Sequence, residues 1–179
     1  HLVDRVAEGD VDLAIGPDRH TGEAVASTPL FDSAWVLWCA PDHPLTQHRR
    51  AVRWSELAGV AIVSAGRDHE HNVAQMHQDV PAGTRVNTLR TWSMPRRIAA
   101  QGLAVTLAPA YVSVLAKPFG LVMRRVVQPE SVRKVCLYAP AVRTLSPAAE
   151  GFAEFLGAWI KHWALSHNPA EAEFPLTSD

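Results

Sequence analysis

The sequence predicts an α/β protein built from two similar lobes. Predicted strands and helices alternate along most of the chain, which favours a largely parallel sheet with helices on both faces. A helix that ends at a glycine and leads into an alternating strand occurs twice, at Gly9 and at Gly102. Because this unit recurs within 179 residues, two lobes of similar construction are expected.

The first half of the chain predicts one helix followed by strands. Residues 2–8 carry apolar side chains on one helical face, and residues 11–15 alternate as in a strand. Residues 34–40 and 60–63 are continuous apolar runs, which are typical of strands buried on both faces. Between these two runs, residues 54–57 predict a single helical turn.

The second half continues the alternation of strands and helices. Residues 86–89 predict a strand, and Ser93 is a good N-cap for the helix that follows. Residues 103–107 alternate as the next strand, and Pro109 opens a second short helix. Two more strands are predicted, at 121–127 and 135–139.

A long closing helix is the clearest predicted element. Ser146-Pro147 provides an N-cap followed by proline at the first helical position. Apolar residues then recur at helical spacing and predict one wide apolar stripe, formed by Phe152, Phe155, Leu156, Trp159, Ile160 and Trp163. The polar residues at 167–179 predict a loose C-terminal tail.

Composition argues against several classes of protein. A net charge of −1, from 17 basic and 18 acidic residues, lacks the excess of Lys and Arg that a nucleic-acid surface needs. The pairs Arg49-Arg50, Arg96-Arg97 and Arg124-Arg125 are predicted to be ordinary solvated or ion-paired sites. No apolar run approaches the ~20 residues that cross a bilayer, so we expect no contact with a membrane.

The residues that support catalysis or metal binding do not form a recognisable pattern. Cys39 and Cys136 lie in apolar runs and are predicted to be buried, inert thiols, which fits a reducing, cytoplasmic location. His69 and His71 lie two residues apart in a polar segment, whereas a zinc helix needs histidines four apart. A solvated loop is favoured there over a metal site. We therefore expect neither a metal nor a cofactor, and no enzymatic activity.

The order of several short blocks resembles the effector-binding domain of LysR-type transcriptional regulators. The similar blocks are Gly9–Gly16, Pro29-Leu30, His43-Pro44-Leu45, Ala100–Pro109 and Ser146-Pro147. Ala104 stands where the family pattern has its second glycine. Each block is degenerate alone, and the specificity comes from finding them together and in order over residues 2–165.

The resemblance implies a fold of two Rossmann-like lobes joined by two crossover segments, as in type II periplasmic binding proteins. Carried onto this chain, lobe I consists of residues 1–39 plus 132–166, and lobe II consists of residues 40–131. A small-molecule effector is then expected between the lobes, where it alters how a homodimer or homotetramer holds DNA. The helix-turn-helix is not in this sequence, so DNA binding is expected only through a region outside it. The alternative is a solute-binding receptor of the same fold.

Three loops are the candidate effector contacts, because open α/β sheets bind ligands at the carboxyl ends of their strands. They are Gly16, Pro17 and Arg19; Ser64, Ala65 and Gly66; and Thr91, Trp92 and Ser93. Their hydroxyls and N–H groups suit a carboxylate, Arg19 suits an anion clamp, and Trp92 suits a flat apolar wall. Each also has a plain structural interpretation: Ser93 as a cap, Arg19 as a solvated loop residue, and Trp92 as a packing residue.

Overall fold

The structure is a computed structural model that describes residues 2–47, 50–65, 85–89, 93–128 and 130–167. Its strands are β1 (Ala14–Pro17), β2 (Val25–Cys39), β3 (Val52–Arg53), β4 (Ala61–Ala65), β5 (Arg85–Leu89), β6 (Val105–Pro109), β7 (Val122–Val127) and β8 (Val132–Pro140). Its α-helices are α1 (Leu2–Glu8), α2 (Ser93–Ala100), α3 (Ser113–Ala116) and α4 (Pro147–His167). Short 3₁₀ turns occur at Pro44–Thr46, Trp54–Leu57, Ala110–Val112 and Lys117–Phe119.

The described chain packs as two units. His1–Ser33 and Arg133–Asn168 form the first unit, and Ala34–Val132 lies in the second. Residues 34–39, which sequence analysis assigned to the first lobe, pack with the second unit because their side chains enter its cores. The tail predicted at 167–179 lies outside the described residues, apart from His167 at the end of α4.

The first unit packs helices against the pair β1–β8. These strands are antiparallel, from Ala14 opposite Tyr138 to Pro17 opposite Val135, and β8 also neighbours β2. Because successive strand residues point to opposite faces, β8 contributes to two cores. One core contains Val6, Ala14, Val25, Cys136 and Tyr138, and the other contains Leu30, Leu137, Leu156 and Ile160.

Helix α4 begins as predicted, but its apolar stripe is narrower than predicted. The Ala149 N–H donates to Ser146 Oγ at 3.2 Å, which confirms the cap. Within the stripe only Leu156 and Ile160 are buried, with Trp163 half-buried beside Phe31. The side chains that remain 53%, 61% and 47% exposed are Phe152, Phe155 and Trp159, respectively. Across the described ranges, no helix is long and apolar enough to cross a membrane.

The second unit has a mixed sheet, and the prediction of a largely parallel sheet was wrong in this respect. Strand β2 pairs antiparallel with both β6 and β7, whereas β4 pairs parallel with β5 and β6, and β3 parallel with β7. Strand direction depends on which distant segments meet, and apolar runs are compatible with either direction. The sequence therefore located the strands without fixing their directions.

The helix stops predicted at Gly9 and Gly102 are confirmed, although the strands that follow begin at Ala14 and Val105 rather than at residues 11 and 103. After α1, the N–H of Gly9 donates to the Val6 carbonyl at 3.2 Å and that of Asp10 to the Arg5 carbonyl at 2.9 Å. After α2, Gly102 and Leu103 donate in the same pattern, at 3.0 and 3.3 Å, to carbonyls three and five residues earlier. Both glycines have left-handed φ angles, +84° and +68°. Each unit thus stops one helix with a Schellman motif before the chain enters a strand.

Within the pair Arg124-Arg125, Arg125 is ion-paired as predicted, whereas Arg124 is buried and donates to backbone carbonyls. Both residues are 8% exposed. Arg125 is ion-paired with Glu130 at 2.5 Å, as expected for an arginine inside a protein. Arg124 donates instead to two backbone carbonyls, those of Met123 at 2.7 Å and Thr46 at 2.9 Å. Arg124 thereby fastens the His43-Pro44-Leu45 turn to β7.

Replacing Gly9 by alanine is expected to lower the free energy of unfolding by about 1 kcal/mol, because a residue with a Cβ disfavours φ +84°. The added Cβ would lie 3.8 Å from Arg143 Nε, an ordinary contact, so the cost is conformational. Denaturant titration measures the change. The control is Gly157→Ala within α4, where the added Cβ would meet no atom within 4 Å beyond the local helix backbone and the change should stabilise by about 0.5–1 kcal/mol. A Gly9→Ala variant as stable as the parent would contradict the left-handed helix stop.

Candidate functional site

In the first unit, the predicted contacts Gly16, Pro17 and Arg19 lie where β1 ends. Gly16 is opposite Cys136 and Pro17 opposite Val135, and the Asp18 N–H then donates to the Lys134 carbonyl at 2.9 Å. A Cβ on Gly16 would lie 3.6 Å from Leu2 Cδ1 and 3.7 Å from Tyr138 Cε2. The space around Gly16 is thus already bounded by α1 and β8, which fix the strand end beneath the loop.

Tyr138 of β8 stabilises this loop through hydrogen bonds. Its hydroxyl donates to the Pro17 carbonyl, and the Arg19 backbone also hydrogen-bonds to Tyr138. The Tyr138 side chain is fully buried. Burial raises the pKa of the Tyr138 hydroxyl above its ordinary value of 10, so the group stays protonated and remains a donor at neutral pH. The backbone of the half-buried Arg19 is therefore held in place by a residue of β8.

A buried thiol lies next to the same loop. Cys136 Sγ donates to Asp18 Oδ1 at 3.7 Å, and Ser27 also hydrogen-bonds to this thiol. Burial, the largest effect, raises the pKa of Cys136, so the group is a thiol at neutral pH. Since the thiolate is the reactive form, this environment suits packing rather than nucleophilic chemistry. In the second unit, burial raises the pKa of Cys39 to about 12. The prediction of two buried cysteines is confirmed.

Sequence reasoning missed Tyr138 as the support of the loop. Tyr138 was identified only as part of an apolar strand. A signal was present, because a tyrosine within a buried strand needs a partner for its hydroxyl. The partner itself could not be predicted from the sequence, because Pro17 lies 121 residues away from Tyr138.

In the second unit, the predicted contacts Ser64 and Ala65 lie at the end of β4. The parallel partner β5 ends beside them, with Ser64 opposite Thr88 and Ala65 opposite Leu89. Helix α2 begins at Ser93 and contacts both β4 and β6. The carboxyl ends of two parallel strands and the start of a helix thus belong to one edge of this sheet. Gly66, Thr91 and Trp92 lie outside the described residues, as do His69 and His71.

The described residues contain no group of three or more His, Cys, Asp or Glu side chains that could hold a metal ion. Near the end of β1 the described polar side chains are the Arg19 guanidinium, the Asp18 carboxylate and the Cys136 thiol. A guanidinium can bind and orient an anion through charge-assisted hydrogen bonds.

A comparison with protein families agrees with this architecture. The family model described as the LysR substrate binding domain matches residues 1–161. The chain belongs to this family. LysR substrate-binding domains are the ligand-sensing, non-enzymatic parts of LysR-type transcriptional regulators, so the predicted family, its type II periplasmic-binding-protein-like fold and its sensory role are confirmed.

Individual relatives of this LysR domain are distant in sequence. An uncharacterized HTH-type transcriptional regulator, YbhD of Escherichia coli (strain K12), is 24% identical over 155 residues, which are 85% of this chain and 49% of that protein. The chain therefore spans about half the length of this curated relative. The effector-binding domain of QuiR, solved in complex with shikimate, matches with a TM-score of 0.73 at 14% identity, over 89% of this chain and 77% of that chain.

A second solved structure has a similar likeness to this LysR domain. The regulatory domain of CcmR from Synechocystis PCC6803, in complex with 2-PG, matches with a TM-score of 0.70 at 17% identity. The matched region covers 88% of this chain and 77% of the CcmR chain. At these identities the structural matches establish the fold alone.

Replacing Tyr138 by phenylalanine in this LysR domain is expected to lower the free energy of unfolding by about 1 kcal/mol, because the hydroxyl bond to Pro17 is lost while ring packing is kept. Amide exchange at Asp18 and Arg19 should become faster in the same variant. Denaturant titration and hydrogen exchange provide the two measurements. Unchanged stability together with unchanged exchange at Arg19 would show that Tyr138 does not hold the loop.

Proposed function

We propose that this chain senses a small carboxylate-bearing effector for a LysR-type transcriptional regulator. The supporting observation is the membership of residues 1–161 in the LysR substrate-binding family. The proposed contacts are Gly16, Pro17 and Arg19 in the first unit and Ser64–Gly66 with Thr91–Ser93 in the second. Effector binding then shifts the regulator toward the conformation that binds the effector more tightly. The size of this shift is set by the difference in effector affinity between the conformations.

A carboxylate is proposed for two reasons. Arg19 supplies a positive charge, and its backbone is hydrogen-bonded to the buried Tyr138, so the loop that carries the charge has a defined conformation. A loop that is already ordered loses little entropy when a ligand binds. The structurally similar QuiR domain was solved with shikimate, which carries a carboxylate. The two reasons are independent, since one concerns this chain and the other a relative.

The test is a thermal-unfolding screen of the purified domain against small carboxylates, with shikimate as the first probe. A ligand that binds only the native state stabilises it by ~2.7 kcal/mol at a hundredfold excess over its dissociation constant. A hit is then titrated by calorimetry against Arg19→Gln. We expect at least a tenfold loss of affinity, because a charge-assisted hydrogen bond is worth roughly 1.5–3 kcal/mol.

The matched control is Arg5→Gln, which also removes an arginine from the first unit. Arg5 is exposed on α1 and has a long ion pair of 3.6 Å with Asp10. Its replacement should leave the affinity within twofold of the parent. A panel without any stabilising carboxylate would overturn the proposed ligand class, and equal losses in both variants would overturn the role of Arg19.

We further propose that the domain works as a homodimer or homotetramer in the cytoplasm, with DNA contacted by a helix-turn-helix outside this sequence. The curated relative, which is about twice as long as the matched region, is described as an HTH-type regulator. Large apolar side chains also lie exposed in both units, including Leu2 on α1 and Leu103 after α2. Multi-angle light scattering should give at least twice the monomer mass of 19.6 kDa. A single monomeric species at high concentration would contradict self-association by this domain.

A further inference from the structure

The second unit contains a polar groove separate from the predicted effector contacts. It has a volume of about 670 Å³ and is lined by Arg50, Ala51, Arg53, Ser55, Glu56, Val127 and Gln128, which we call the arginine groove. A volume of this size falls in the range of roughly 300–1,000 Å³ that small-molecule sites occupy. None of its lining residues belongs to the three loops proposed to bind the effector.

The arginine groove lies at the carboxyl ends of two parallel strands. Strand β3 pairs with β7, with Val52 opposite Val126 and Arg53 opposite Val127. Both strands therefore end at the groove, one entering the 3₁₀ turn Trp54–Leu57 and the other reaching Gln128. The carboxyl edge of parallel strands is where α/β proteins bind ligands. The position of the groove in the sheet thus favours binding.

The charge of the arginine groove favours an anion. Glu56 is the only acidic lining residue, and both its oxygens are already engaged. Oε1 accepts from Arg50 Nη2 at 2.5 Å, and Oε2 accepts from Arg50 Nη1 and the Arg53 N–H, each at 2.8 Å. These hydrogen bonds hold the pKa of Glu56 at about 2, so it is fully ionised at neutral pH. With two guanidinium groups and one carboxylate, the lining has a net charge of +1.

Arg53 supplies the donor that a ligand needs. Arg50 is bidentate with Glu56, whereas in the described part of the chain no carboxylate is ion-paired with the Arg53 guanidinium. The Arg53 residue is exposed at the groove, and Ser55 adds a hydroxyl nearby. A guanidinium with its planar donors suits carboxylate and phosphate oxygens.

The backbone at the rim of the arginine groove is strained. Gln128 has a φ of +61°, and it is the one non-glycine residue with positive φ in the described ranges. The ion pair between Arg125 and Glu130 spans this bend at 2.5 Å. Such conformations cost free energy and concentrate at ligand sites. Here the bend places Gln128, whose amide is a further donor, in the lining of the groove.

We propose that the arginine groove is a second binding site of this domain, which takes a small molecule through an oxyanion group, either carboxylate or phosphate. Arg53 is the principal contact, with Ser55 and the Gln128 amide as further donors. Glu56 acts as a positioning residue that fixes Arg50 and the backbone at Arg53. Binding here is independent of the effector proposed above.

The test is a titration of the ¹⁵N-labelled domain with inorganic phosphate and, separately, with citrate, at constant ionic strength. Saturable shifts of the Arg53, Ser55 and Gln128 amide signals are expected with at least one probe. A response to phosphate alone or citrate alone identifies the oxyanion, and a response to both shows that the site accepts either. An absence of saturable shifts with both probes would overturn the proposal.

Two variants and one control make the titration specific. Arg53→Ala should weaken binding about tenfold or more. Gln128→Gly relieves the positive φ and removes the amide, so it should weaken binding without loss of stability, which separates binding from folding. The matched control is Arg97→Ala, which removes an exposed arginine of α2 outside the groove. Weakening by Arg97→Ala as large as that by Arg53→Ala would show charge screening at the surface and would contradict a site.

Discussion

Strand β2 is the constraint on which both units depend. Its fifteen residues supply a strand to each unit, and its second half is paired on both edges, with β6 through Trp35–Trp38 and with β7 through Val36–Cys39. Its side chains alternate between two cores: Trp35, Leu37 and Cys39 enter one, and Val36 and Trp38 enter the other. Each large side chain buried this way contributes roughly 1.5–3 kcal/mol. The continuous apolar run of the sequence is therefore the direct consequence of a strand covered on both faces.

The features that the sequence predicted well are those determined within a few residues. Gly9 and Gly102 each close a Schellman motif whose bonds reach only five residues back, and Ser146 caps α4 through an amide three residues away. Because such contacts join residues that are close in sequence, residue type and spacing predict them. The same reasoning explains why the turn at 54–57 was located correctly.

Features that depend on distant partners could not be predicted in the same way. The antiparallel pairing of β2 with β6 and β7 joins segments about 70–90 residues apart, and no periodicity encodes its direction. Arg124 illustrates the same limit for a side chain. An arginine pair beside apolar residues predicts an exposed or ion-paired site, but Arg124 instead reaches the carbonyl of Thr46, 78 residues away in sequence. The exposed aromatics Phe152, Phe155 and Trp159 satisfy helical spacing, yet spacing alone does not determine how much of a helix the sheet covers.

The candidate effector site shows both situations in one loop. The sequence located Gly16, Pro17 and Arg19 because a strand end followed by glycine and proline is a local signal. The reason that this loop has a defined conformation lies elsewhere, in Tyr138 on β8, whose buried hydroxyl donates to Pro17. Since Tyr138 is packed in the core with Val6 and Val25, a displacement of the loop must disturb that core or break this hydrogen bond. A ligand that contacts Arg19 therefore acts on a loop that is hydrogen-bonded to β8. Such a ligand changes the conformation of the unit only if its binding free energy differs between two positions of the loop.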